Sequence, residues 1–358
     1  MTNAITMDRD SSELLALLRA VATVVIAIGH VGLFWMNPPW TQFLQFTVPL
    51  FFFISGAVSY HAFCRSATVG NYLLKRSVGL LVPFYLIALL ALLFYVADHQ
   101  QLPPWSWEGA WRWLTIALLK AWTPFPLNQV WFLGVLLIIC LISPLLFRLQ
   151  QQRSPLLWLW LLVALLLATL QLWWPLGRQF WLAHHNFYKP IVHSLFFVAG
   201  ALWLSHASHW SALRHGLAAA LFAAAALALV TGLELPVDFA AHTYYPSLYY
   251  VIGSLALIAL CAALKQPLLW LYRRPRLRPL FAFFFTHTFS VYLTHTFAIY
   301  ASERWLAMTG DSYDSGWPFV AKSAVVLAAT ALMAVPFSAA SNRLIQATLR
   351  LCQPRHGG

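Results

Sequence analysis

The chain has 358 residues, of which 61% are hydrophobic and only 9% are charged, and its mean hydropathy is +0.70. A soluble domain carries about 25% charged residues, so this composition excludes a soluble globular protein and predicts a polytopic membrane protein. The net charge of +12 does not indicate a nucleic-acid partner, because the basic residues lie in short segments between apolar stretches, which is typical of membrane orientation.

Hydropathy predicts an all-α bundle of about ten membrane-spanning helices in one domain, residues 1–358, with short polar ends at 1–12 and 348–358. The predicted spans are residues 13–35, 41–63, 73–97, 129–149, 154–174, 188–206, 210–232, 243–264, 281–303 and 317–347. The polar stretch 98–128 contains prolines and many tryptophans, which predicts a helix lying at the membrane interface. Pro336 is expected to kink or break the last span.

The distribution of charge predicts the orientation of this bundle. With the N-terminus in the cytoplasm, sixteen of the 22 Lys and Arg residues fall on the cytoplasmic side, and seven of the ten acidic residues fall outside. Both termini are then cytoplasmic. None of the four cysteines falls in an outside loop, so we expect no disulfide and no structural metal site.

Two ionisable residues, Arg19 and His30, interrupt the apolar first span. Eleven steps of about 100° come within about 20° of three full turns, so both side chains project from one face of the helix. The rise between them is about 16 Å, which puts Arg19 near the inner boundary and His30 near the middle of the membrane. Arg19 alone is compatible with a snorkelling arginine, and His30 alone with a neutral core histidine. Their common face favours a functional site.

Three further motifs follow in spans two to four. Ser55 and Gly56 are small residues that let a neighbouring helix approach closely, so helix packing is the favoured interpretation. Lys75 and Arg76 open the third span; such a pair is typical of a topology signal and becomes a binding site only if an anion such as phosphate binds there. Trp131, at the start of the fourth span, is typical of the outer aromatic belt.

The ninth span carries a polar stripe. Thr288, Tyr292 and His295 are spaced by four and three residues and share a helix face, which predicts either a buried reaction site or a polar packing seam. The basic stretch 273–278 that precedes it is typical of a topology and anionic-lipid signal, and it is also compatible with attracting a polyanionic cytosolic ligand. The remaining histidines do not predict a metal site, because adjacent side chains such as those of residues 184 and 185 point about 100° apart on a helix.

Taken in order, these motifs resemble the acyltransferase-3 family of bacterial integral membrane acyltransferases. The resemblance rests on the Arg19–His30 spacing, the basic start of span three, the ten-span count, and the runs Phe51-Phe52-Phe53-Ile54-Ser55-Gly56, Trp131-Phe132-Leu133 and Ser290-Val291-Tyr292-Leu293-Thr294-His295. Two positions depart from the family pattern. Many members have two arginines before the proline of span three, where this chain has Lys75, Arg76 and an apolar Leu80. Some members carry a glutamate in span four, and none lies near Gly134.

The resemblance implies an enzyme of the bacterial inner membrane that moves an acyl group from cytosolic acyl-CoA, above all acetyl-CoA, to a hydroxyl of a glycan or lipid-linked saccharide outside. Acyl transfer to an alcohol needs a base, and a neutral histidine is suited to that role. The implied catalytic residues are His30 as general base, Arg19, His295 and Tyr292; the implied donor-binding residues are Arg19, Arg76, Lys75 and Ser55; and Trp131 is the implied acceptor contact. No permanently bound cofactor and no metal are expected, and membrane lipids are the remaining partners.

Two other functions are compatible with the same residues. A proton-coupled transporter or flippase would use Arg19 and His30 as an intramembrane relay, although the chain has no internal repeat. A structural membrane subunit would use its polar residues only for packing.

Overall fold

The computed structural model of the chain describes residues 7–100, 106–107, 127–182, 185–306 and 317–352. In this part of the chain the backbone forms twelve α-helices. They are α1 (Arg9–Val31), α2 (Thr47–Cys64), α3 (Val69–His99), α4 (Trp131–Gln151), α5 (Pro155–Leu170), α6 (Tyr188–Leu202), α7 (Ala212–Gly232), α8 (Leu248–Ala263), α9 (Lys265–Tyr272), α10 (Arg278–Thr286), α11 (Thr288–Trp305) and α12 (Trp317–Cys352).

The connections between the described helices contain 3-10 turns at Leu33–Trp35, Trp40–Phe46, Asn128–Val130, Leu176–Arg178 and Ala240–His242. Trp203–Ala207 continues α6 as a π-helical turn, and Trp181–Leu182 and His185–Asn186 form a short antiparallel strand pair before α6. Apolar side chains of α1, α2, α3, α4 and α6 form the main core. The all-α bundle predicted from hydropathy is thereby confirmed.

Seven helical segments of the described residues are long and apolar enough to cross a membrane. They are α1, α2 with the turn before it, α3, α4, α6 with the turn after it, α7 and α12. Helices α8 and α9 meet at an angle of 65°, and together they are long and apolar enough to form an eighth membrane-crossing segment. The protein is therefore a multi-pass membrane protein.

The other two predicted spans correspond to α5 and α11. Helix α5 is shorter than these segments, and α11 is more polar. Helix α5 has only 16 residues, but its large exposed side chains such as Leu159 and Leu162 are those of a lipid-facing helix. Helix α11 is long enough but carries several polar residues. Those polar side chains, including Thr294 and His295, are buried in protein. These polar side chains of α11 therefore face the bundle interior and not lipid.

The first helix begins and ends earlier than predicted. Its span was expected at 13–35, but the carboxylate of Asp8 accepts a hydrogen bond of 2.7 Å from the Ser11 backbone N–H and starts the helix at Arg9. At the other end Gly32 has φ 143°, which ends α1 at Val31. The residues after it form 3-10 turns that lead to α2.

Two other expectations are corrected by the described helices. The ninth span, predicted as continuous over 281–303, is broken at His287 between α10 and α11. Helix α12 is continuous through Pro336, so a break there is wrong, while a kink stays a prediction. The interfacial helix predicted for 98–128 lies almost wholly outside the described residues.

The start of α1 is tied to the basic segment after α9. Arg273 pairs with Asp10 at 2.5 Å and with Glu13 at 2.7 Å, and the Lys265 ammonium donates to the Ser11 hydroxyl at 3.2 Å. The sequence predicted Arg273 as part of a topology and lipid signal. In the fold it also anchors one end of the bundle, with α10 and α11 packed along α1.

Helices α2 and α6 pack closely at two glycines. A Cβ atom at Gly56 would overlap the carbonyl oxygen of Phe197, and one at Gly200 would overlap the carbonyl oxygen of Phe53. Small residues permit this kind of backbone approach between membrane helices. The packing interpretation of Gly56 is therefore confirmed.

We expect Gly56→Ala to destabilise the protein by about 1–3 kcal/mol, because the added methyl group must push α6 away from α2. Gly216 is a matched control, since a Cβ atom there meets no atom within 4 Å. Gly216→Ala should leave the thermal unfolding midpoint of the detergent-solubilised chain unchanged or raise it, because alanine favours helix over glycine by about 1 kcal/mol. Equal midpoints for the two variants would contradict the packing argument.

Candidate active site

A cavity of about 610 Å³ lies inside the bundle, among α1, α2, α3, α4, α6, α11 and α12, and we call it the central cavity. Its volume lies within the range of small-molecule binding sites. Arg19 and His30 both line it, which follows from their common face on α1. They are about 16 Å apart along the helix axis, since each residue adds about 1.5 Å. The cavity therefore extends along much of α1.

The part of the cavity around Arg19 is basic and polar, and we call it the basic end. Its chemistry-bearing residues are Arg19, Lys75, Arg76, Ser338, Ser341 and Asn342. The part beyond His30 is aromatic, and we call it the aromatic end. It is lined by Phe34, Trp35, Gln45, Trp131, Lys189, Thr243 and Tyr244.

The two arginines of the basic end have no carboxylate partner among the described residues. Arg76 donates to the Val58 carbonyl oxygen at 3.2 Å, and the Arg19 guanidinium carbon lies 5.8 Å from the centre of the Phe285 ring. Arg76 is close enough to Arg19 for their charges to repel. Paired positive charges away from bulk water are costly unless an anion joins them. The basic end is thus chemically suited to a phosphate-bearing ligand.

His30 contacts His295 of α11 across 265 positions of sequence. The Nδ1 atom of His30 lies 3.3 Å from the Nε2 atom of His295, and the ring centres are 4.9 Å apart. His295 is fully buried, whereas His30 exposes its surface to the central cavity. The second histidine therefore lies behind the first.

The hydrogen-bond partners assign the neutral tautomers of this pair. His295 Nδ1 lies 2.7 Å from the Tyr292 carbonyl oxygen, which only accepts, so Nδ1 carries the proton and Nε2 is an acceptor. His30 Nδ1 faces two acceptors, this Nε2 and the Ile26 carbonyl oxygen at 2.9 Å, so it also carries the proton. The Nε2 atom of His30 is then unprotonated and available as a base.

Tyr292 connects this pair to the aromatic end. It lines the cavity, its ring centre lies 6.1 Å from that of His295, and its hydroxyl donates to the backbone carbonyl of Gln129. The Gln129 amide nitrogen in turn donates to the Leu293 carbonyl at 3.2 Å. These bonds hold the start of α4, and with it Trp131, against α11.

Seven of the eight residues predicted for the site line the central cavity. They are Arg19, His30, Ser55, Lys75, Arg76, Trp131 and Tyr292. The eighth, His295, is not a lining residue and contacts His30 instead. Ser55 and Gly56, adjacent in sequence, face different surroundings: Ser55 faces the cavity and Gly56 faces α6.

Sequence reasoning missed two polar contributions to the cavity. Ser341 and Asn342 follow Ser338 by three and four residues on α12, so a polar stripe was visible in the sequence. Lys189 also lines the cavity, although its position at the start of a span made it look like an orientation signal only. Its aromatic neighbours come from distant segments and leave no local signal.

The remaining histidines and the cysteines do not add a metal centre within the described part of the chain. No group of three or more His, Cys, Asp or Glu side chains there is placed to hold a metal ion, and residue 184 lies outside the described residues. His193 is fully buried and stacks on Phe52, with the two ring centres 4.4 Å apart. All four cysteines are free thiols.

Comparison with known protein families gives a match over most of the chain. The model of a family described as an acyltransferase domain, Acyl_transf_3, matches residues 14–339, from the first turns of α1 to the middle of α12. The chain matches no curated protein and no solved structure. The family match includes the motifs that form the central cavity, and the chain therefore belongs to the acyltransferase-3 family and is a membrane-embedded acyltransferase.

Proposed function

We propose that this protein transfers an acetyl or other short acyl group from acyl-CoA to a hydroxyl of a glycan or lipid-linked saccharide, with His30 as the general base. The observation that carries the proposal is the continuity of the central cavity. It joins two guanidinium groups, which have no carboxylate partner in the described part of the chain, to a histidine whose Nε2 atom is unprotonated, and then to an aromatic surface.

The basic end is the proposed site of the CoA phosphates. Arginine binds phosphate through two parallel hydrogen bonds, and neither Arg19 nor Arg76 has its positive charge paired with a described carboxylate. Lys75 is exposed at the same end and adds a third positive charge. The hydroxyl of Ser55 and the amide of Asn342 are neutral groups that can bind the rest of the donor. The thioester would then extend along α1 toward His30.

The proposed reaction needs one proton acceptor. The acceptor hydroxyl oxygen attacks the thioester carbonyl carbon while its proton passes to Nε2 of His30. The tetrahedral intermediate then collapses, the C–S bond breaks, and the thiolate of CoA takes the proton back from His30. The products are the acyl ester and free CoA, and the histidine is restored. Arg19 lies about 16 Å from His30 along α1, so its proposed role is to bind the donor phosphates.

His295 is proposed as a positioning residue. When His30 is protonated on both nitrogens, its Nδ1–H group can donate to the Ile26 carbonyl and to Nε2 of His295. These acceptors hold the ring in one orientation and stabilise its positive charge. In a hydrolase triad the third residue likewise orients the histidine ring and stabilises its positive charge.

The acceptor is proposed to bind at the aromatic end, where Trp131 and Tyr244 offer flat faces for a sugar ring. The excess of positive charge on the side of Lys75 and Arg76 favours a cytoplasmic basic end, where acyl-CoA is found. We therefore infer an inner-membrane enzyme with both termini in the cytoplasm and with its acceptor arriving from the opposite side. Family membership favours this enzyme over a transporter that uses the same residues as a relay.

Replacing His30 by glutamine should abolish acyl transfer while the protein stays folded. General base catalysis contributes about 10²- to 10⁴-fold, and an amide cannot accept the proton. The measurement is CoA release from acetyl-CoA by the purified chain with water or a methyl glycoside as the acyl acceptor, alongside acetyl-CoA binding and the thermal midpoint. The exposed His206 provides the control, since His206→Gln should retain activity. A folded His30→Gln variant with more than a tenth of wild-type transfer would overturn the role of His30.

Replacing Arg76 by glutamine should weaken donor binding about 10- to 100-fold, because a charge-assisted hydrogen bond is worth about 1.5–3 kcal/mol. The loss should appear with acetyl-CoA and be absent with acetyl-pantetheine, which lacks the nucleotide phosphates. Arg343→Gln is the matched control, since Arg343 is exposed on α12 and does not line the cavity. An equal loss of affinity for both donors would show that Arg76 does not bind the nucleotide phosphates.

Replacing His295 by phenylalanine should lower kcat about 10- to 100-fold and leave acetyl-CoA binding unchanged, because His30 loses an acceptor for its Nδ1–H group. His295→Gln should recover much of this loss, since its amide oxygen can accept the same hydrogen bond. Steady-state kinetics and calorimetric donor binding check both statements. A parallel loss of donor binding, or no recovery with glutamine, would point to a packing role alone.

A further inference from the structure

Lys189 lies in the first turn of α6 and is only 4% exposed. Its ammonium nitrogen lies 3.8 Å from the ring centre of Tyr244, 4.7 Å from that of Trp131 and 5.6 Å from that of Tyr245. The side chain also lines the central cavity. It is therefore a buried cation that is held by aromatic rings at the edge of a ligand site.

No described carboxylate pairs with this ammonium group. The contrast is Lys322, which is equally buried but pairs with Glu303 at 2.7 Å. Cation–π contacts recover part of the cost of burying a positive charge, but an unpaired cation away from water remains expensive. Such residues in membrane segments usually serve a ligand.

The surroundings of Lys189 suit a polar ring-shaped ligand. Trp131 and Tyr244 contribute flat apolar faces, and Gln45 and Thr243, hydrogen-bonded to each other at 2.7 Å, line the same end of the cavity. The donor phosphates are assigned to the basic end, on the other side of His30. An anion at Lys189 therefore belongs to the acceptor.

We propose that the aromatic end of the central cavity recognises a saccharide that carries a carboxylate or phosphate group, and that this group pairs with Lys189. The proposal rests on the proposed function, because it assigns the acceptor of the same reaction. It narrows that acceptor from any hydroxyl-bearing glycan to an acidic one.

The test uses the full chain in phosphatidylcholine nanodiscs and three probes: methyl glucoside, methyl glucuronide and glucose 6-phosphate. Binding is measured by calorimetry. We expect at least one of the two anionic sugars to bind about tenfold or more tightly than methyl glucoside, because a charge-assisted hydrogen bond discriminates by that factor. The stronger of the two identifies the anion as carboxylate or phosphate.

Lys189→Met should remove this preference and Lys189→Arg should retain it. Lys322→Met is the matched control, since it also removes a buried lysine but one that does not line the cavity, and it should leave the preference intact. Equal binding of the three sugars to the wild type, no measurable binding of either anionic sugar, or a preference that survives in Lys189→Met would each overturn the proposal.

Two parallel measurements distinguish an acidic acceptor from a lipid headgroup at Lys189, and a failure of this proposal from a failure of the proposed donor. If phosphatidylglycerol nanodiscs abolish the preference, Lys189 is a lipid-headgroup site and the acidic-acceptor proposal fails. Acetyl-CoA binding is measured on the same samples. Its absence in the wild type would contradict the proposed donor, whereas intact acetyl-CoA binding without an anionic preference would overturn only the inference about Lys189.

Discussion

The fold depends on one constraint: the charged and polar groups of α1 and α11 must face protein and not lipid. An ionisable side chain in the hydrocarbon region is costly unless it faces a cavity or a polar partner. Arg19 and His30 share one face of α1, so this face must be enclosed. Helices α2, α10, α11 and α12 pack against α1 and provide that enclosure. The central cavity is the space that remains along the polar face.

This constraint also gives the cavity its polarity. Positive charge is concentrated at one end, where Arg19 and Arg76 lie without carboxylates among the described residues, and aromatic rings are concentrated at the other. A histidine with an unprotonated nitrogen lies between them. In the proposed reaction, a phosphate-bearing donor and a sugar acceptor approach this histidine from opposite ends. Acyl transfer across the bundle would then require neither substrate to pass through it.

Much of the site could be predicted because helical geometry is local. The spacing of Arg19 and His30 places them on one face whatever surrounds the helix, and the same holds for Thr288, Tyr292 and His295. Helix caps and helix breaks were less predictable. The Asp8 cap starts α1 four residues before the predicted boundary. The break at His287 divides a span whose hydropathy is continuous. Those features depend on hydrogen bonds that a hydropathy pattern does not contain.

By itself, the sequence determined that the chain is an all-α membrane bundle, and it placed two ionisable side chains on one stripe of its first helix, because composition and helical period are properties of the chain alone. Only the tertiary structure decided which distant groups meet. The contact of His30 with His295 and the aromatic cage around Lys189 each join segments that are far apart in sequence. Such contacts depend on the collective packing of the helices, and no local pattern specifies them.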